Sequence, residues 1–457
     1  MNERWKIVEY IDKTLEPFQD RIKEGLETRK GTCKISVVDE KGSPVSDVKV
    51  EVCQKTHDFK YGANIFMLDQ METEEKNEKY KTHFKNLFNI ATLPFYWNTL
   101  EPERGKLRYD KDSEPIYRRP AIDICMEFCK ENGIEPREHG LMYAGMFPKW
   151  LKDLPTEEVK ALIEKRYKEI AERYAADIPC IEVTNEMFWW WERSLIDFYF
   201  DEEFMPFAYD LAKKYFPNNT LSINDMPGQT FGRWDLYAPF LNDKTTPYYL
   251  QIEKLLRDGY KIDEIGIQYH MFYDRDEESA KTKNYYDMGH MYRALDLFAK
   301  LGKPLQLTEI TIPAYSNEPE DEEIQAEIIK RLYTVWFSYP SISQIIYWNL
   351  VDGYAYVENP TPEAIRWSQG NMTVGENVYH GGLLRFDMTP KPAYIMLDNL
   401  INKKWHTELN LILNDEGCVN FRGFYGDYEI EITKDKKTVS KTFTLSSKKK
   451  NNLTITI

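Results

Sequence analysis

Eight short runs rich in β-branched and aromatic residues alternate with longer helical patterns between residues 59 and 350. The runs are FKYGANIFML (59–68), FNIATLPFYW (88–97), IEPREHGLMY (134–143), CIEVTNE (180–186), LSINDM (221–226), IDEIGIQYHMF (262–272), PLQLTEI (304–310) and SQIIYWNL (343–350). Between them, residues 157–178, 291–302 and 321–337 carry apolar side chains at helical spacing, with charges on the other face. Gly302 stands where the second of these helices should end. Eight alternating units predict a (β/α)8 barrel with long loops. A doubly wound open sheet is the alternative, but it would more often announce itself with a glycine-rich phosphate loop after the first strand, and no such loop is visible.

The two ends follow a different rule. Residues 31–56 and 407–457 alternate apolar and polar side chains, with turns at DEKGSP, NDEG and YGD. Both read as antiparallel strands with one buried face. Neither end alone has enough strands for an independent sandwich. The expected organisation is therefore a helical segment at 1–28, strands of an accessory β domain at 29–57, the barrel at 58–404, and the remaining strands at 405–457. Phe421, Tyr425 and Tyr428 read as core residues of that small sandwich-like domain.

Composition narrows the function classes. A net charge of −15 argues against a nucleic-acid partner, which needs a basic surface. No stretch approaches the ~20 apolar residues that span a bilayer, so no membrane partner is expected. The opening MNERWKIVEYIDKTLEPF has no apolar signal core, which favours a cytoplasmic location, with secretion if a leader has been removed. Of the six cysteines, Cys125 and Cys129 share a helix face, but two thiols with no nearby His do not make a metal site. Nothing in the sequence sets the oligomeric state.

In an eight-stranded barrel the active site lies at the C-terminal ends of the strands. There the sequence places His139 on the third strand, Asn185 and Glu186 on the fourth, and Asn224 on the fifth. Gln268, Tyr269 and His270 end the sixth, Glu309 the seventh and Trp348 the eighth. A lone strand-end Glu is more often an ion-pair partner. Two of them, on the fourth and seventh strands, can face each other across the mouth. Such a pair can divide the work of glycoside cleavage, one protonating the leaving oxygen while the other attacks the anomeric carbon.

These residues sit in motifs that resemble glycoside hydrolase family ten, whose best-known members are retaining endo-β-1,4-xylanases. The likeness covers roughly residues 60–400. YWNTLEPERGKLRYD, with Trp97, is similar to that family's second-strand segment, and REHGLMY to its third-strand motif. VTNE, GIQYH, LTEI, YWNLVD and GGLLRFDMTPKPAY follow in the family's order. The resemblance implies that Glu186 is the acid/base and Glu309 the nucleophile. It further implies that Asn185 and His139 bind the sugar at the cleavage point. Gln268 and His270 would hydrogen-bond around the nucleophile, and Trp348 would form part of the sugar platform. Retention of anomeric configuration is implied, with no metal or organic cofactor.

Three departures stand out. TLPFYW is about two residues short and lacks the Glu-Asn and Lys that grip a more distant xylose. Tyr143 replaces a Trp. Thr311 replaces the Asp that supports the sixth-strand His. The aromatics Phe188 to Trp191 border the leaving-group side; at least one of them, with Trp189 as the candidate, is expected to stack on a sugar or an aromatic aglycone while the others pack the loop against the barrel, and the sequence does not say which. The function expected is thus a retaining β-glycosidase acting on xylan or xylo-oligosaccharides. The alternatives are another short oligosaccharide or aryl glycoside as substrate, or a non-catalytic carbohydrate-binding protein.

Overall fold

The computed structural model describes residues 2–188, 194–232, 246–357, 361–435 and 437–457. Strands β1 (Lys30–Val38) and β2 (Lys49–Gln54) precede a series of eight: β3 (Lys60–Asn64), β4 (Ile90–Pro94), β5 (Glu135–His139), β6 (Cys180–Asn185), β7 (Thr220–Asp225), β8 (Glu264–His270), β9 (Leu305–Thr311) and β10 (Ile342–Tyr347). Five more follow: β11 (Glu408–Ile412), β12 (Cys418–Phe424), β13 (Gly426–Lys434), β14 (Lys437–Leu445) and β15 (Asn452–Thr456).

The eight strands of the series close into a barrel in sequence order, β10 sealing against β3. Helices Glu74–Leu87, Ile122–Asn132, Thr156–Tyr174, Phe204–Tyr215, Pro247–Arg257, Met288–Ala299 and Pro319–Ser338 separate successive strands, and Pro392–Asn399 follows the last. This is the expected (β/α)8 barrel. Strands β4, β6 and β9 are buried from end to end, because barrel side chains fill the inside and helices cover the outside. Helix ends obey local chemistry. Thr73 caps Glu74–Leu87 by accepting from the Lys76 N–H, and Gly133 ends Ile122–Asn132 at φ +64°, a conformation that favours a residue without Cβ. Cys125 and Cys129 lie together on the buried face of Ile122–Asn132 as free thiols, pushed up by burial.

The chain divides into two compact units. One holds residues 1–16, 61–331 and 341–394, and so contains almost all of the barrel. The other holds 17–60, 332–340 and 395–457, so the helical segment 1–28 is shared: Trp5–Leu15 belongs to the first unit and Gln19–Thr28 to the second. In the second unit β12-β1-β15 form one sheet and β11-β2-β13-β14 another. Their inner faces meet in a core that includes Cys33, Ile35, Val50, Val52, Phe421, Tyr428 and Ile430. The alternating pattern of β1, buried at every second residue, is what one covered face demands. The accessory β-sandwich built from the N- and C-terminal segments is therefore present, with partly buried Tyr425 at its margin. No described helix is long and apolar enough to cross a membrane.

Candidate active site

Side chains alternate across a strand, so consecutive residues should not both face the mouth of a barrel. Asn185 and Glu186 break that rule through the backbone. The register of β6 against β7 shifts between Glu182 and Thr184, and Glu186 then adopts φ +52°, in the left-handed region. Its N–H bonds to the Asn224 carbonyl at 3.2 Å. Non-glycine residues held this way are costly and concentrate at functional sites.

Both carboxyls reach one amide. Gln268 Nε2 donates to Glu186 Oε1 at 3.1 Å and to Glu309 Oε1 at 2.9 Å. The two oxygens therefore lie no more than roughly 6 Å apart, below the ~6.5–9.5 Å that an inverting pair needs. Glu309 also accepts from Asn224 Nδ2 at 2.8 Å and faces His270 Nε2 at 3.2 Å. Tyr143 OH donates to Glu186 Oε2 at 2.8 Å. Asn185 Oδ1 accepts from Asn224 Nδ2 and Gln268 Nε2, at 2.9 and 3.2 Å. Asn224 is itself oriented by Thr308, whose hydroxyl donates to its Oδ1 at 2.6 Å. Gly266 allows this: a Cβ there would stand 2.6 Å from Asn224 Oδ1.

Burial pushes the Glu309 carboxyl up to about 8; His139 and the Asn224 donor oppose this, Glu186 and Glu182 add to it. His139 is held above the usual imidazole range. Burial works against this, but Glu182 and then Glu309 outweigh it. Its Nδ1 is 2.7 Å from Glu182 Oε1, and its Nε2 is 2.9 Å from Tyr96 OH. Arg137 braces Glu182 Oε2 at 2.5 Å, so one buried carboxylate is held between Arg137 and His139. His270 goes the other way: burial lowers it to about 4, so it is neutral at pH 7. The neutral ring then donates from Nε2 to Glu309 and accepts the Thr311 hydroxyl at Nδ1, 2.9 Å away. A ring stacked on it, Phe272 at 4.5 Å, adds to its burial.

A cleft of about 810 Å³ opens over these groups. It is lined by Glu186, Glu309, Asn185, His139, Gln268, His270, Tyr143 and Trp348 among the expected residues. Asn224 lies just beneath, touching both Asn185 and Glu309. Two expected contacts are placed elsewhere. Tyr269 lies between Gln268 and His270 on β8, so it points outward; its hydroxyl donates to the Tyr285 carbonyl and its ring packs on Phe231. Trp97 is buried against Phe147 and Trp150, its Nε1–H donating to Glu101. Trp189 lies outside the described residues.

The structure also supplies residues that the sequence reading passed over. Tyr96 and Phe66 meet Trp348 in an aromatic cluster beside His139. Glu182 was hidden as one polar residue inside an apolar strand. Arg118, Arg119 and Glu376 enter the cleft from the loops after β4 and β10. The only visible signal for the arginines was a basic pair before a proline in a loop.

Known proteins resemble this chain in sequence and in fold. The family described as Glycosyl hydrolase family 10 matches residues 54–395. The chain is 24% identical to Endo-1,4-beta-xylanase B of Thermotoga neapolitana, over 72% of this chain and 84% of that one. It is 23% identical to Anti-sigma-I factor RsgI6 of Acetivibrio thermocellus over 89% of its own length, but spans only 45% of that protein. Among solved structures, xylanase 10B from Thermotoga petrophila RKU-1, in complex with xylobiose, superposes with a TM-score of 0.56 at 22% identity. The match covers 76% of this chain and 95% of that one.

Proposed function

Given that the chain belongs to glycosyl hydrolase family 10, we propose that it is a retaining β-glycoside hydrolase acting on β-1,4-xylan or xylo-oligosaccharides. The observation that carries the proposal is the single Gln268 nitrogen within hydrogen-bond reach of both carboxyls. That spacing supports double displacement rather than inversion.

Glu309 receives donors from Asn224, Gln268 and His270, and Glu186 from Tyr143 and Gln268. Glu309 sits among the Asn224, Gln268 and His270 donors, which oppose the effect of its burial, and takes the part of nucleophile, with Glu186 as proton donor. Glu309 then attacks the anomeric carbon while Glu186 protonates the departing glycosidic oxygen. In the second half, Glu186 removes a proton from water as it attacks the glycosyl–Glu309 ester, and Glu309 leaves as carboxylate. Asn185 takes the sugar 2-hydroxyl, a contact that tightens in an oxocarbenium-like transition state. The role of His139 is to hold Tyr96 OH toward the same sugar.

One observation favours a second reading of the substrate. The segment lacking the family's Glu-Asn and Lys places Tyr96 beside His139 instead, so the polar grip beyond the first sugar is altered. A different short oligosaccharide or an aryl glycoside is the corresponding alternative. Incubation with aryl β-xyloside, aryl β-glucoside and defined xylo-oligosaccharides separates these. The β-anomer should form first by NMR, and Glu309→Ala should abolish turnover. Hydrolysis that survives Glu309→Ala removes the nucleophile assignment, and no hydrolysis of any β-glycoside by the intact chain leaves a non-catalytic carbohydrate-binding protein.

A further inference from the structure

One wall of the cleft carries a buried cation with no direct ion pair, although the Glu376 carboxylate in the same cleft favours its charge from a distance. Arg119 is 5% exposed. Its guanidinium lies over the Tyr96 ring at 4.3 Å and the Phe66 ring at 5.1 Å. Of its five N–H donors, Nη1 reaches the Arg118 carbonyl at 2.7 Å, while the buried Nε has no partner. Among the described residues no carboxylate forms an ion pair with it. Burial lowers its pKa only to about 10, so it remains charged at neutral pH.

The other buried arginines are spent differently. Arg137 and Arg4 are paired with Glu182 and Glu278. Arg166 has no carboxylate either, but it donates to the Phe95 and Leu141 carbonyls. An unpaired buried guanidinium costs more in lost hydration than stacking on two rings returns. The loop that carries it is also held in place deliberately. Arg118 sits at φ +58°, its N–H bound to Gln70 Oε1 at 2.6 Å and its Nη2 to Asn349 Oδ1 at 3.0 Å. Arg118 therefore adds a second positive charge beside Arg119 with only neutral partners of its own.

The position is specific. Arg118 and Arg119 line both the catalytic cleft and an adjoining cavity of about 690 Å³. Arg119 stacks on Tyr96, which in turn bonds His139, so it shares the His139 wall of the cleft. A planar fork that is rigid, charged and short of acceptors matches a planar carboxylate. In a chain of net charge −15, general electrostatics would repel an acidic glycan, so a local cation of this kind has to be selective. We infer that Arg119, flanked by Arg118, is a subsite for the carboxylate of a uronic acid unit borne by the glycan substrate. This rests on the glycoside hydrolase reading above and adds the substrate's charge to it.

The test compares one xylo-oligosaccharide backbone bearing a uronic acid with the same compound whose carboxyl has been reduced to the alcohol. With intact protein, kcat/KM should favour the acid by roughly 10- to 100-fold, the range for hydrogen bonds to a charged group. That preference should shrink in 0.5 M salt. Arg119→Gln should bring the acid-to-alcohol ratio close to one, and Arg119→Lys should restore part of it. Equal rates on acid and alcohol with intact protein overturn the proposal, as does a ratio untouched by Arg119→Gln in a variant with native circular dichroism. Should neither compound be hydrolysed, the catalytic reading fails by itself. Calorimetric Kd values for the same two ligands then decide the subsite: tighter binding of the acid supports it, and equal or weaker binding overturns it.

Discussion

Replacing Thr311 by Asp tests how the site sets the protonation of His270. The Thr311 hydroxyl lies 2.9 Å from His270 Nδ1, and burial holds the ring at about 4. A carboxylate in that place would stand about 4 Å from the centre of charge of an imidazolium. At an effective dielectric of ~20, the attraction is about 4 kcal/mol, or roughly 3 pKa units. The new carboxylate must itself be desolvated, so a rise of about 1–3 units is the expected net effect. The sign is upward, because an opposite charge favours the charged imidazolium. His270 should then titrate between roughly 5 and 7. An imidazolium facing Glu309 Oε2 also favours the Glu309 carboxylate, so any Glu309-dependent acid limb of kcat/KM should move to lower pH. Side-chain NMR of 15N-labelled histidine reads the first effect and a pH–rate profile the second. A His270 that still titrates near 4 in folded Thr311→Asp would refute the reasoning that a carboxylate at position 311 can outweigh the burial of this ring.

The accessory sandwich offers a stability prediction. His57, packed among Phe59, Phe337 and Phe424, is lowered to about 3 by burial. Between pH ~3 and ~6.5 the unfolded chain binds a proton that the folded chain does not, so stability rises with pH in that window and is lost as pH falls. The ceiling is roughly 4–5 kcal/mol at low pH. In urea titrations at pH 4 and 7, His57→Phe should flatten the difference, and an unchanged slope would exclude His57 as its source. Within the barrel, Gly266→Ala should displace Asn224 and lower kcat/KM roughly tenfold to a hundredfold, matching Asn224→Ala, whereas full activity in Gly266→Ala would show that Asn224 does not need its present position.

The barrel was legible because its signal is collective. Each strand is a weak pattern, but eight of them at helical intervals leave few topologies open. Glu186 and Glu309 were legible for the same reason, since a strand end in this fold has a known address. The misplacement of Tyr269 came from treating a strand end as a point: with period-two alternation, Gln268 and His270 face in only if Tyr269 faces out. Trp97 was misplaced because a tryptophan near a strand end reads equally well as platform or core, and only packing against Phe147 and Trp150 decides. Arg118 and Arg119 were invisible because charges in a loop are normally solvated. What makes them different is burial by Tyr96 and Phe66, residues far from them in sequence.

The amide of Gln268 poses a counting problem. Its nitrogen carries two hydrogens, yet oxygens of Asn185, Glu186 and Glu309 all stand within 3.2 Å of it. At any moment one of the three must look elsewhere for a proton. On the proposed mechanism Glu186 needs the amide least before it gives its proton to the departing sugar and most afterwards. Three acceptors thus share two hydrogens, and a sugar hydroxyl is a natural donor for the third. Gln268 would then act as a ledger of the reaction, its two hydrogens reassigned each time the negative charge changes sides.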